Sequence, residues 1–226
     1  SKLFVKSKYK LDQDYFLGYS IIFIIAICKN LISKIILLFS NMETKFTVQD
    51  VIDYKLLKER KVFFWGEVGD ELAKQVIERL LYLELTDPGK EIQLLINSPG
   101  GSVYAGMAIH DVMVGIKSPI STICCGTAMS MGSLILSAGT KGRRFILPFG
   151  KVMIHQPVWD ISGQATDIEI RARELLRIKK YGAEIMSRNC GQPFEKVMKD
   201  EDRDYYMDAD EAVEYGIVDK KTDSIF

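Results

Sequence analysis

Ile120-Ser121-Thr122-Ile123-Cys124-Cys125 is an apolar run and Met131-Gly132-Ser133-Leu134-Ile135-Leu136-Ser137-Ala138 is helix-like, with Gly126-Thr127-Ala128-Met129-Ser130 joining them. A short β-prone run that feeds a helical one is the repeating unit of an α/β fold. The junction reads as a tight turn bounded by Gly126 and Gly132, with neighbours small enough for the Ser130 hydroxyl to protrude. A helix opening at Ser130 aims its free N–H groups and positive dipole end at the same place, which favours an oxyanion there. The ordinary reading of a serine at such a junction is a helix cap. A serine hydroxyl is a poor nucleophile unless a base lies within hydrogen-bond reach and a third group holds that base.

The chain has only two histidines to offer as that base. His110 falls inside a helical pattern, Ala108-Ile109-His110-Asp111, and reads as a surface or packing residue. His155 ends the short apolar run Val152-Met153-Ile154 and precedes Gln156-Pro157, a strand end beside a loop, where catalytic side chains often sit. The third group is an aspartate among Asp200, Asp202 and Asp204, and spacing does not choose between them. Upstream, Asn97-Ser98-Pro99-Gly100-Gly101 follows a buried strand. Two consecutive glycines let a backbone N–H come close to a ligand, as an oxyanion hole requires. The order Ser, His, Asp along the chain differs from the chymotrypsin, subtilisin and α/β-hydrolase orders, and there is no G-x-S-x-G spelling.

Outward from this centre the pattern stays α/β. Lys61 to Trp65 and Glu91 to Ile96 read as strands. Gly69-Asp70 starts a helix with apolar positions Leu72, Val76, Leu80, Leu81 and Leu83, and another helix runs from Val103 to about Gly115. Arg143 to Leu147 and Lys151 to His155 are short strands around Pro148. A long helix spans about Thr166 to Asn189. Asp208-Ala209-Asp210-Glu211 spells a capping box, with Gly216 placed to end that helix.

Composition narrows the function classes. The 226 residues are 47% hydrophobic and 27% charged, which suits one domain with a sizeable core. Thirty basic residues balance thirty acidic ones, with no basic stripe for nucleic acid and no acidic tail. Cys28, Cys124, Cys125 and Cys190 include no CxxC pair, so they read as reduced thiols in a reducing, cytoplasmic compartment, with no metal site.

Residues 1–41 stand apart. Leu17 to Cys28 is too short for a membrane span, and Leu31 to Phe39 is broken by Lys34, so no stable span is expected. Lys2, Lys6, Lys8 and Lys10 precede the apolar run as in a signal peptide, but Asp12 and Asp14 intervene and no small-residue cleavage site follows. The segment is read as an extension, with the domain over 42–226.

At these residues the chain resembles the ClpP family, the proteolytic subunit of the Clp protease. The resemblance covers about residues 52 to 222. It is carried by Leu56-Leu57-Lys58-Glu59-Arg60, Leu80-Leu81-Tyr82-Leu83-Glu84, Ile96-Asn97-Ser98-Pro99-Gly100-Gly101-Ser102, Ala105-Gly106-Met107-Ala108-Ile109, Ser130-Met131-Gly132, Met153-Ile154-His155-Gln156-Pro157, Gly163 through Ile170 and Glu211 through Gly216. It implies the ClpP/crotonase fold, an α/β spiral of β-β-α units with a protruding strand-helix handle. It implies a serine endopeptidase without cofactor, in a homo-oligomer of two heptameric rings that encloses a chamber. The implied partners are an AAA+ unfoldase of the ClpX, ClpA or ClpC type and protein or peptide substrates.

Residue by residue, the resemblance implies Ser130 as nucleophile, His155 as general base and Asp204 as the acid. The implied oxyanion donors are the N–H groups of Gly101 and Met131. Gly100, Ser102, Val103, Met129, Gln156 and Pro157 are the implied substrate contacts, and Asp202 and Arg203 the ion pairs between rings. Three departures stand out. Thr127-Ala128-Met129 replaces the family's Gln-Ala-Ala, which sets a bulky Met129 beside the serine. Val158-Trp159-Asp160-Ile161-Ser162 replaces a Leu-Gly-Gly run in the handle strand. The family's axial hairpin has no recognisable counterpart before Val51. A non-catalytic ring subunit is the alternative reading, but such paralogues lack triad residues that this chain keeps. A crotonase-type acyl-CoA enzyme would need an oxyanion hole but not this triad. A membrane-anchored Clp-class protease would need an unbroken apolar span.

Overall fold

The computed structural model describes residues 29, 31–34 and 47–224. The chain divides into two units, Ser1–Val51 and Ile52–Phe226. In the first unit, residues 31–34 are helical. Thr47 and Asp50 exchange hydrogen bonds there: the Asp50 N–H donates to Thr47 Oγ1, and the Thr47 N–H to Asp50 Oδ2. This reciprocal cap starts helix α1, Val48–Lys58. The expected extension over 1–41, like Cys28, lies almost wholly outside the described residues.

The second unit is built on one seven-stranded sheet. Its strands are β1 (Lys61–Trp65), β2 (Ile92–Ser98), β3 (Ile120–Met129), β4 (Arg144–Ile146), β5 (Lys151–Ile154), β6 (Tyr205–Met207) and β7 (Lys220–Lys221). The order is β1-β2-β3-β4-β7; β5 also pairs with β3, and β6 with β5. Every pairing is parallel except β5 with β6. Parallel strands are covered on both faces, which is why β2 reads as a nearly unbroken apolar run. Helices α2 (Asp70–Thr86), α3 (Val103–Gly115), α4 (Met131–Ser137) and α5 (Ala165–Cys190) supply cover, with α6 (Phe194–Asp200) and α7 (Ala209–Tyr215) near the carboxyl end. Val62, Phe64, Val76, Leu80, Leu94, Ile96, Ile109, Ile135 and Leu136 form the buried centre.

Helix ends follow the local chemistry. Gly69 precedes α2 without a side-chain cap, whereas the Ser102 hydroxyl accepts from the Ala105 N–H at the start of α3. Asp208 and Glu211 form the expected capping box on α7, and Gly216 ends it at φ 89°. A side chain at Gly216 would run into the Cys190 carbonyl, so glycine serves there for conformation and for space.

The structure departs from the sequence reading in three places. β3 does not stop at Cys125; it runs through Gly126 to Met129, so the expected glycine-bounded turn is strand. Residues 158–162, expected to resemble a handle strand, carry no strand, while the handle helix α5 is present. The short elements α1, α6, β6 and β7 were not foreseen. α6 is anchored by one fully buried side chain, Val197, in a charged stretch, too weak a periodic signal to read.

The last strand is tied down by a buried ion pair. Arg144 is 1% exposed and reaches Asp219 through Nε to Oδ2 at 2.9 Å and Nη2 to Oδ1 at 2.6 Å. Its Nη1 donates to the carbonyls of Asn189 at 2.9 Å and Ser137 at 3.3 Å, joining β4, α4 and α5. Burial pushes the Asp219 carboxyl up, but hydrogen bonds and charge from Arg144 outweigh it, and its pKa is lowered. The pair therefore stabilises the fold above the normal carboxylate range, and that stability is lost as pH falls through the lowered value. Asp219→Ala is expected to cost about 3–5 kcal/mol in denaturant unfolding at neutral pH, because it leaves the guanidinium buried and unpaired. Adding Arg144→Met is expected to recover part of that loss.

Candidate active site

The site is assembled by strand register. In the parallel β3–β5 pair, Met129 lies opposite Met153. In the antiparallel β5–β6 pair, Ile154 lies opposite Tyr205. Ser130 follows β3, His155 follows β5, and Asp204 precedes β6. Continuing each register by one residue brings all three side by side. Ser130 Oγ lies 2.8 Å from His155 Nε2, and Asp204 Oδ1 lies 3.0 Å from His155 Nδ1. An ionised carboxylate can only accept, so Nδ1–H donates to Asp204 and Nε2 is left to accept from the serine hydroxyl. Of the three aspartates, the one hydrogen-bonded to His155 is Asp204. Asp200 instead accepts from Lys196 and Tyr215, and the Asp202 carbonyl accepts from Gln156.

Ser130 is not a helix cap. It occupies the position before α4, yet its side chain makes no capping hydrogen bond. Its backbone sits at φ 52°, one of two positive-φ non-glycine residues among those described. Such a conformation costs about 1–3 kcal/mol and persists only when neighbours over-determine it. Here the Ser130 N–H donates to the Met153 carbonyl at 2.8 Å. Its carbonyl accepts from the Ser133 and Leu134 N–H groups and from the Ser133 hydroxyl. The backbone is held so that the hydroxyl turns toward His155.

The Gly100-Gly101 turn packs directly on this serine. A Cβ at Gly100 would lie 2.7 Å from Ser130 Cβ and from the Met129 carbonyl oxygen, and φ there is +94°. A Cβ at Gly101, φ +144°, would strike the Val68 backbone. The Val68–Gly101 bridge uses the Gly100 carbonyl and the Ser102 N–H, leaving the Gly101 N–H outside the pairing. The Met131 N–H belongs to the first residue of α4 and so has no acceptor within its helix. Gly106 on α3 leaves room for the Met131 side chain.

Two clefts share Val103, Pro157 and Ile178, and Ser130 lines the first. The first, about 490 Å³ out to open solvent, is lined by Ser130, Met131, His155 and Pro157, by Val103, Met107 and Leu134, and by Lys179 and Glu201. The second, about 580 Å³, holds Gly101, Ser102, Val103, Tyr104, Pro157 and Trp159. Tyr104 and Trp159 meet edge to face with centroids 6.4 Å apart. Gly101, Ser102, Val103, Met131 and Pro157, all singled out in the sequence, line these clefts. Met129 lines neither: it faces Met153 across the sheet, and Met131 takes the place beside the serine. Gln156 joins Lys179 Nζ, at 2.8 Å, to the Asp202 carbonyl. Asp202 and Arg203 are exposed, and His110 is buried in α3 beside Asp111.

Sequence reasoning missed Ile178, Lys179, Gly182 and Met186, which α5 brings to the first cleft, and Glu201. The helical spacing of the α5 set was available as a signal. Glu201 gave none, since it sits in a run of charges. Among the described residues, no group of three or more His, Cys, Asp and Glu is placed to hold a metal, and no helix is long and apolar enough to cross a membrane.

An α/β sheet whose strand ends bring a serine, a histidine and an aspartate into one hydrogen-bonded line, beside a glycine turn and a cleft, defines a hydrolase-like site. The Clp protease family model matches residues 43–224, and the chain belongs to that family, whose members are peptidases. The mixed α/β architecture with its parallel sheet fits the ClpP/crotonase-like fold of the family.

Gly100→Ala is expected to leave the protein folded by circular dichroism but to displace Ser130. Labelling of Ser130 by a fluorophosphonate should slow about 100-fold, the size of effect that a shift near 1 Å produces.

Proposed function

We propose that the chain is a serine endopeptidase with Ser130 as nucleophile, His155 as general base and Asp204 as the group that orients the base. The observation that carries this reading is the continuous line Ser130 Oγ to His155 Nε2 at 2.8 Å and His155 Nδ1 to Asp204 Oδ1 at 3.0 Å. Nε2 takes the hydroxyl proton as Oγ attacks a peptide carbonyl. The carbonyl oxygen becomes an oxyanion and accepts from the Gly101 and Met131 N–H groups. Both belong to backbone that is already in place, so little reorganisation is needed as charge develops. The histidinium then protonates the leaving amine, the acyl-enzyme forms, and water repeats the sequence to release the acid.

The second cleft suits an extended peptide. Residues 101–103 on one side and the strand-free stretch after His155 on the other offer main-chain groups that an added strand can pair with. Gly100 and Gln156 shape this path, the first by its contact with Ser130 and the second through Lys179. In the assembled form the chain acts as two stacked heptameric rings, Asp202 and Arg203 meeting between rings. An AAA+ unfoldase of the ClpX, ClpA or ClpC type feeds it unfolded protein for quality control and turnover. The cytoplasm suits the free thiols Cys124, Cys125 and Cys190. The intact hydrogen-bonded line weighs against a non-catalytic ring subunit.

Ser130→Ala is expected to lower peptide cleavage by about 10⁵-fold or more, and Asp204→Asn by about 10²–10⁴-fold with fluorophosphonate labelling slowed in parallel. Native mass spectrometry of the full chain is expected to give a particle of fourteen 25.7 kDa subunits. Fluorophosphonate labelling together with undiminished cleavage by Ser130→Ala would sink the mechanism.

A further inference from the structure

The first cleft is lined both by Ser130 and by a buried charge. Val103, Met107, Met131 and Leu134 make apolar walls near Ser130, and Lys179 and Glu201 add the polar groups. Glu201 is 7% exposed, and no donor among the described residues hydrogen-bonds its carboxylate. Its oxygens are not among the sealed, partnerless atoms of the interior, which leaves the cleft as their outlet. A buried carboxylate without a donor is costly, and one that opens on a binding cleft is suited to a donor brought by the ligand.

The groups around Glu201 are otherwise engaged. Asp200 on α6 accepts from Lys196 at 2.6 Å and from Tyr215 of α7 at 3.0 Å. Lys179 on α5 donates to Gln156 Oε1 at 2.8 Å. Cys190, the other ionisable neighbour on α5, sits against Met186. His155, which lines the same cleft, is held by Ser130 and Asp204. Lys179 is close enough to attract the Glu201 carboxylate but does not satisfy it. Burial outweighs that attraction, Asp200 adds repulsion, and the carboxyl is pushed up to about 7.

We propose that this cleft selects substrates with a lysine or arginine immediately before the scissile bond, with Glu201 as the counter-charge at its polar end. The inference rests on the peptidase reading above and names a preference within the same site. The apolar walls take the aliphatic stem of such a side chain, and its charged head reaches the carboxylate. The head supplies the hydrogen bonds that Glu201 lacks. The preference is pH-dependent in one direction. Below about 7 the carboxyl is protonated and the counter-charge is gone; above it the carboxylate is ionised and a basic residue is favoured.

The test uses the assembled full-length protein and two fluorogenic peptides that differ at one residue before the cleavage point, lysine in one and norleucine in the other. The readout is the ratio of their kcat/KM values from pH 6 to pH 8.5. A pH effect on the bond-breaking chemistry common to both peptides cancels in the ratio. The lysine-to-norleucine ratio is expected to rise about tenfold across this range, and to be flat and about tenfold lower at pH 8 in Glu201→Gln. A wild-type ratio that stays flat with pH while the norleucine peptide is cleaved overturns the proposal, whether or not the variant assembles. A preference for a glutamate peptide over both would assign recognition to Lys179 and overturn it equally. Cleavage of neither peptide by fluorophosphonate-reactive rings overturns the peptidase reading, and the pocket's role falls with it.

Discussion

Strand β3 has to change partners halfway along its length. Thr122 to Cys124 pair with β4, and Thr127 to Met129 pair with β5. The change falls at Gly126, where the Asn97 side chain occupies the space a Cβ would need; a Cβ there would lie 2.6 Å from Asn97 Oδ1. That oxygen accepts from the Thr127 N–H at 3.0 Å and from the Thr127 hydroxyl at 3.3 Å. The same point is a register shift between β2 and β3. A bulge of this kind bends a strand and re-aims its end. Because β3 is bent here, its final residues meet β5 and not β4. His155 then falls beside Ser130, and β6 can place Asp204 beside His155. The site is therefore a consequence of one amide filling the space over one glycine.

The local rules of folding are broken nearest the Ser130 hydroxyl. Ser130 holds a left-handed backbone, and Gly100 and Gly101 lie against it or Val68 with no space for a side chain. The stable parts of the sheet lie behind this, in the apolar centre and in the Arg144–Asp219 pair. Rigid scaffolding behind a strained residue is the arrangement that keeps a nucleophile oriented without relying on its own conformational preference.

Much of this was legible in the chain. α3 was bounded at both ends, because Ser102 is a strong cap and Ile116 to Pro119 cannot continue a helix. The capping box on α7 was readable letter by letter. The reach of β3 was not, because Gly126 looks like a turn until Asn97, far away in sequence, is seen to fill its place. The serine and the histidine were chosen from residue chemistry; spacing left the aspartate open and only the family resemblance pointed to Asp204, which the antiparallel β5–β6 register sets beside His155. Met129 was expected at the substrate because it adjoins Ser130. Met131, the first residue of α4, lines the cleft beside Ser130, and Met129 pairs with Met153 in the sheet. Glu201 was invisible because a carboxylate's neighbours, and not its sequence context, decide whether it is satisfied.

Arg144 joins a strand in the middle of the chain to Asp219, close to the last residue that the family match covers. A polypeptide leaves the ribosome amino end first. Ser130 emerges early, His155 soon after, and Asp204 and the Asp219 clamp much later. Until that clamp arrives, Arg144 has no carboxylate to justify its burial, and β4 has no β7 to lie against. A growing chain thus carries its serine without the means to orient it. On the proposed mechanism, the nascent chain lacks an oriented base until its last strand is made.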